Sequence, residues 1–237
     1  MMLTSTARSL LRVNRTFYNT FAADFSASRS HLQPGIMRVM AELQPYSHLL
    51  DVGCGNGRLL AASQEHAPDS HYVGVDFSHQ LLHHTPTSPR CDFIWADLAY
   101  PGWATGLQGS FDAAVCFSVL HHIPGRRRRL RLLREINSAM QPGARCALSV
   151  WQFLHLPRLR RKIVPWEQIG LTQKGVDSGD YLMDWNRGGH GLRYVHQFES
   201  ADLNALCARA GFKVEKIFRS DGEGGALGLY VLMRSSR

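Results

Sequence analysis

No apolar run in this 237-residue chain approaches the ~18–20 residues that a membrane-spanning helix needs, and mean hydropathy is −0.20. That excludes a transmembrane helix. Cysteines are few: five, at 54, 91, 116, 146 and 207, odd in number, scattered and without a CxxC pair. This excludes a disulfide scaffold or zinc ribbon and favours a reducing, cytoplasmic setting. Twelve histidines include no HExxH or other metal-ligand spacing, so no metal site is expected. There is no internal repeat and no low-complexity tract. Apolar residues make up 44%, too many for a disordered chain, and the length suits one domain spanning 1–237.

Acids are scarce in two places. Residues 1–23 contain none, with three arginines and many Ser/Thr, the composition of a transit peptide without the apolar core of a secretory signal. A transit peptide is the lesser reading, because residues 17–29 are needed for a motif described below. Residues 126–174 hold twelve Lys/Arg against two acids. The whole chain carries +8, so this one region accounts for all of the excess. An anionic partner there is one reading and a solvated Arg-rich face the other.

What is present is an alternation of short apolar runs and amphipathic stretches. Strands are expected at 48–52, 71–75, 92–95, 111–117 and 144–151, with closing strands at 212–219 and 227–233. Helices are expected at 58–66, 78–84 with Ser78 as cap, 125–140 stopped by Gln141-Pro142-Gly143, and 200–210 stopped by Gly211. The alternation predicts an α/β fold, a mostly parallel sheet with helices on both faces. Residues 152–198, broken by Pro157, Pro165 and many glycines but rich in large aromatics, read as an irregular insert before the last helix.

Asp51-Val-Gly-Cys-Gly-Asn-Gly57 follows a strand and opens a helix. Its glycines permit a sharp turn and close approach of a ligand, but GxGxG departs from the GxGxxG dinucleotide spacing. Asp76 ends the next strand, where a carboxylate can accept both hydroxyls of a ribose. Asp97 follows the third, where one can take an adenine amino group. Each alone is an ordinary turn residue; three acids at successive strand ends form a ligand constellation.

These pieces, with Val73-Gly-Val-Asp76, Phe111–Ile123 and Gln141–Trp151, resemble the class I S-adenosylmethionine-dependent methyltransferases over nearly the whole chain. The resemblance implies a Rossmann-like, seven-stranded sheet with its last strand antiparallel, and S-adenosyl-L-methionine as cofactor. By position it implies Gly53 and Gly55 at the methionine part and Asp51 orienting its amino group. It puts Asp76 at the ribose, Asp97 and Leu98 at the adenine, and Phe117 and Ser118 under the methionine amine, with Phe77 also against the cofactor.

A narrower resemblance is to the tRNA wobble-uridine carboxymethyl methyltransferases, and it is partial. It rests on Phe17-Tyr18-Asn19 with Phe25-Ser26-x-x-Arg29, on His121-His122, and on Gly179-Asp180-x-Leu182, Trp185 and Arg193-Tyr194-x-His196-x-Phe198. Met183-Asp184-Trp185 stands where that family has Val-Pro-Trp. It implies that N-terminal helices within 1–45 lie over the cofactor, with Tyr18 and Arg29 closing on it. It also implies that 152–198 lies on the substrate side and that a small activating partner protein is used.

Methyl transfer from a sulfonium is an in-line displacement that demands alignment and desolvation. A carboxylate acceptor needs no general base, only a donor to place it, and Arg193, Tyr194 and His196 offer such groups. In an extended segment Arg193 and Val195 face one way and Tyr194 and His196 the other, so the latter pair is expected in the pocket. Equally, Tyr194 reads as a core aromatic and His196 as a surface histidine. A hydroxyl or amine acceptor would use His121 or His122 as base, although such a pair also serves as packing.

Arg126, Arg127, Arg128 and Arg129 open a helix against its macrodipole, a cost of roughly a few tenths of a kcal/mol each that a phosphate contact would offset. Arg158, Arg160, Arg161 and Lys162 form a second cluster, with Trp166 and Trp185 interleaved downstream. Both point to tRNA or another RNA. The leading expectation is an RNA-modifying methyltransferase acting on a carboxymethylated tRNA wobble uridine. The alternatives are a small-molecule O-, N- or C-methyltransferase with 152–198 as lid, and a non-catalytic binding subunit that keeps the fold.

Overall fold

The computed structural model describes residues 2–28 and 31–237. Three helices come first: α1 (Thr4–Thr20), α2 (Ala22–Ala27) and α3 (Pro34–Leu43). Strand–helix alternation follows, through β1 (His48–Val52), α4 (Leu59–His66), β2 (His71–Asp76), α5 (His79–Leu82), β3 (Cys91–Trp95), β4 (Phe111–Phe117), α6 (Arg126–Ala139) and β5 (Met140–Trp151). Then come α7 (Pro157–Arg160), β6 (Ile163–Val164), β7 (Asp180–Trp185) and β8 (Gly191–His196). The chain closes with α8 (Ser200–Arg209), β9 (Phe212–Ser220) and β10 (Gly228–Ser235).

Short, nearly continuous apolar runs such as those of β1 and β4 suit parallel strands covered on both faces. Seven strands form one sheet in the order β3-β2-β1-β4-β5-β10-β9, with β10 antiparallel to both neighbours. This is the expected α/β, Rossmann-like sheet. One face packs on α3 and α4 through Ile36, Val39, Leu43 and Leu60. The other packs on α6 and α8 through Leu132, Leu133, Ile136, Leu203 and Leu206. The order reverses between β1 and β4, which leaves a crevice beyond the carboxyl ends of these strands. The helix stop at 141–143 falls inside β5. Met140 pairs with Phe111 and pairing resumes at Arg145 with Ala113, so the Gln-Pro-Gly turn stands out as a bulge. Ser78 caps α5 as expected, its Oγ accepting the Leu81 N–H at 3.2 Å. Among the described residues, no helix is long and apolar enough to cross a membrane.

Residues 152–198 are not irregular throughout. They contain a second, antiparallel sheet in the order β6-β7-β8. Its strands are short, and all but Gly191 of the glycines that suggested irregular chain lie outside them. Gly179 (φ +87°) precedes β7, and Gly188 (φ +67°) sits in the β7–β8 hairpin, where a Cβ would lie 2.0 Å from the Asp24 carboxylate. The hairpin tip thus packs on α2. The body of β8 is fastened to α1 by Asn14. Its Oδ1 accepts the Tyr194 N–H at 2.8 Å, and its Nδ2 donates to the carbonyls of Tyr194 and His122, both at 3.1 Å. One buried side chain therefore joins α1, β8 and the 120–122 turn after β4.

Candidate cofactor cleft and acceptor side

The glycine loop folds back over β2, with the N–H groups of Gly53 and Cys54 both donating to the Val75 carbonyl at 2.7 and 3.1 Å. Gly53 has φ +81°, and a Cβ there would fall 2.1 Å from Val119 Cγ2. Gly55 has φ +59° and faces open space, with Leu81 Cδ1 the nearest atom at 3.9 Å. The loop is thereby pressed against the sheet at one glycine and opened to a ligand at another.

Asp76 ends β2 buried, its Oδ2 accepting the Gly55 N–H at 2.9 Å and its Oδ1 the Ser78 N–H at 2.8 Å. Burial raises its pKa against the pull of these N–H donors. Asp51 is held by the Tyr72 hydroxyl at 2.5 Å. Burial, opposed by that hydrogen bond and reinforced by the charge of Asp76, pushes its pKa up to about 7. Asp97 takes the Ala99 N–H at 3.0 Å on Oδ1, while its Oδ2 is ion-paired with Arg15 from α1. Ser118, at the end of β4, has φ +60°, a strained conformation for a residue with a Cβ, fixed by its N–H to the Ser149 carbonyl (3.0 Å) and Oγ (3.1 Å).

These elements enclose a cleft of about 1120 Å³ counted to its open mouth. Tyr18, Asp51, Gly53, Gly55, Asp76, Phe77, Asp97, Leu98, Phe117 and Ser118 all line it. Arg29 lies outside the described residues. The open side of Gly55, a carboxylate with spare lone pairs at Asp76, and the apolar walls of Phe77, Leu81 and Leu98 together suit a nucleoside-bearing cofactor such as S-adenosylmethionine.

On the other side of the cleft the groups come from parts distant in sequence. Tyr18 Oη and His122 Nε2 are 2.8 Å apart, and His122 Nδ1 is 2.9 Å from the Tyr194 carbonyl. A carbonyl only accepts, so Nδ1 carries the proton and Nε2 of the neutral ring accepts from Tyr18, an assignment made from the network. Tyr18 also hydrogen-bonds Arg193. Arg193 is 3% exposed, its guanidinium carbon 4.9, 5.0 and 4.8 Å from the ring centres of Phe17, Trp151 and Trp185. Among the described residues no carboxylate pairs with it, and burial lowers its pKa while Tyr18 opposes this.

The alternation along β8 is as expected, but the side is reversed. Arg193 looks toward the cleft wall, whereas Tyr194 and His196 turn away from it. The Tyr194 hydroxyl and His196 Nδ1 both meet Asp180 Oδ1, each at 2.7 Å. Neither lines the cleft, because α1 and Trp166 cover the Tyr194 face. Burial raises the Tyr194 pKa and lowers that of His196, which Asp180 partly restores. Of the histidine pair, His122 lines the cleft and His121 does not; His121 is buried 5.1 Å (ring centres) from Trp151. Sequence reading passed over Arg15 and Asn14, whose partners lie 82 and 180 positions away and leave no local signal.

The basic clusters are separate. Arg126 to Arg129 surround the start of α6, with Arg126 and Arg127 exposed and Arg129 buried. Arg158, Arg160, Arg161 and Lys162 lie on and just after α7, outside the cleft lining.

Residues 25–217 match the methyltransferase domain family. The chain is similar to the "tRNA (carboxymethyluridine(34)-5-O)-methyltransferase ALKBH8" of Mus musculus, 30% identical over 134 residues, 56% of this chain and 19% of that protein. Several curated relatives are much longer, and the chain spans 19–35% of their length. In fold it is similar to an S-adenosylmethionine-dependent methyltransferase from Methanosarcina mazei (20% identical, 86% and 98% of the two chains covered, TM-score 0.64). It is also similar to a structure of the Haloferax volcanii Trm112 methyltransferase activator in complex with a methyltransferase (12%, 94% and 97%, TM-score 0.69). Built on the seven-stranded sheet and cofactor cleft of the S-adenosylmethionine-dependent enzymes, the chain belongs to the methyltransferase domain family.

Proposed function

We propose that this methyltransferase acts on RNA, and that its acceptor is a carboxylate such as that of a carboxymethylated wobble uridine in tRNA. One observation carries the choice of acceptor: among the described residues, each carboxylate and the imidazole lining the cleft already has a hydrogen-bond or ion-pair partner. Asp51 is held by Tyr72, Asp76 by two N–H groups, Asp97 by Arg15 and Ala99, and His122 at both ring nitrogens. A hydroxyl or amine acceptor needs a proton taken away; a carboxylate is already a nucleophile and requires placement alone.

S-adenosylmethionine, when bound, supplies an electrophilic methyl group. Gly53, Gly55, Phe117 and Ser118 would shape the site of its methionine part, Asp51 its amino group, Asp76 and Phe77 its ribose, and Asp97 with Leu98 its adenine. Arg15 would have to share or release Asp97. Tyr18 and His122 form the adjoining wall, which Arg193 holds in place from behind through its hydrogen bond to Tyr18. The two basic clusters supply phosphate contacts, and an activating partner protein is part of this reading, as for the Haloferax neighbour. The scattered cysteines suit a cytoplasmic setting.

The test is transfer of label from radiolabelled S-adenosylmethionine into total RNA and into a protein-free small-molecule extract. Label in RNA that mild base releases, as it would a methyl ester, supports the reading. Label confined to small molecules overturns it.

A further inference from the structure

Beneath the N-terminus of α6, away from the cofactor cleft, lies a second cavity lined by Gly125, the four arginines that follow it, Arg131 and Arg209. The sequence at this point is unusual for a helix start. Gly125 is the cap residue and provides no side-chain acceptor, and the first turn contains no acid. The first intrahelical bonds run from the N–H groups of Arg128 and Arg129 to Gly125, so those of Arg126 and Arg127 precede the ladder. Four cations stand where the macrodipole is already positive.

The second observation is Arg129 itself. It is 3% exposed and lines this cavity, yet Nε and Nη1 have no hydrogen-bond partner among the described residues. Asp177 approaches Nη2 no closer than 3.8 Å, and the remaining support is the face of the Phe198 ring at 5.3 Å. A buried guanidinium left with free donors in the wall of a cavity is costly unless an anion completes it. Two acids, Asp177 and Asp202, also line the cavity, but six arginines outweigh them. The planar, multi-donor geometry of guanidinium together with leading helix N–H groups selects a tetrahedral oxyanion.

We propose that this cavity binds a phosphate group, Arg129 at its floor and Arg126 and Arg127 at its mouth, and that in function the phosphate belongs to the backbone of the RNA acceptor. The assignment of phosphate rests on the cavity; its source rests on the RNA reading above. The site lies apart from the cleft, so it serves docking rather than methyl transfer.

The test compares melting of the full chain in sodium phosphate and in sodium chloride at equal ionic strength. Binding of total tRNA and of phosphatidylserine vesicles is measured alongside. Variants are R129Q and, in case R129Q fails to fold, the exposed pair R126A/R127A; calorimetric binding of S-adenosylhomocysteine checks that each is folded. Phosphate is expected to raise the melting temperature of the parent chain and not of the variants. The variants are expected to bind tRNA about tenfold more weakly, with a salt slope shallower by about 0.7–0.9 for each phosphate that is no longer neutralised. No phosphate effect on the parent chain overturns the site even if RNA is methylated. A phosphate effect with tRNA affinity unchanged in R126A/R127A, or one transferred to the vesicles alone, overturns the RNA source.

Discussion

The two sides of the cleft are built on different principles. On the glycine-loop side backbone does part of the holding: Asp76 takes the N–H groups of Gly55 and Ser78 and Asp97 that of Ala99, while Asp51 rests on the Tyr72 hydroxyl. On the Tyr18 side the contacts run mainly between side chains drawn from α1, the turn after β4 and β8. Backbone donors are fixed by the fold and survive substitution of neighbours. A side-chain network weakens when one member is removed, because the groups left behind are buried and lose a partner.

The largest effect expected from this difference is at Asp76. Asp76→Ala removes a carboxylate bonded to two loop N–H groups and facing the proposed ribose position. S-adenosylhomocysteine affinity, measured by calorimetry, should fall about 10–100-fold, equivalent to ~1.5–3 kcal/mol for charge-assisted hydrogen bonds. Unchanged affinity would remove Asp76 from the cofactor site.

Tyr18→Phe probes the other side. It leaves Arg193 and His122 without a shared partner, so turnover should drop about tenfold, with a stability loss of ~1–3 kcal/mol and cofactor affinity within about twofold. A large loss of cofactor affinity instead would mean that the two sides are not separable.

Asp51 gives a pH test. Its pKa near 7 in the folded chain lies above the ordinary carboxylate value, so between about pH 4 and 7 the folded state binds more protons than the unfolded. Its contribution to stability is greatest below pH 4, declines as pH rises to 7 and is flat above. Binding of a cationic amino group requires the ionised form, so cofactor affinity should rise several-fold from pH 6 to 7. Asp51→Asn should abolish that slope, and a slope that persists would point to another group.

The smallest functional effect is expected at His196. It faces Asp180 and not the cleft, so His196→Ala should cost ~1 kcal/mol of stability and leave cofactor affinity and turnover within about twofold. A tenfold loss of turnover would restore His196 to the acceptor site.

The glycine-loop side was legible in the sequence because its parts are local: strand, loop, helix and terminal acid recur within a few residues of one another. The Tyr18 side was not. His121 and His122 are adjacent in a tight turn, where successive side chains diverge, and sequence carries no sign of which one faces the cleft. Alternation along β8 was readable, but which face meets α1 depends on a second sheet whose shortest strand, β6, has two residues. The Arg15–Asp97 pair spans 82 positions and has no pattern to announce it.

Asn14 also has a bearing on the order of assembly. Its partner Tyr194 lies 180 residues downstream, so on the ribosome α1 emerges long before the strand that seats it. Contacts of such separation form late, since the closure entropy must be met before they contribute. Until β7 and β8 are made, Phe17 and Leu10 of α1 lack Trp185 and Tyr194, the last-made buried members of their clusters. Helix α1 is thus made well before part of the surface that seats it, and the wall it contributes to the cleft is expected to form only once β7 and β8 are in place.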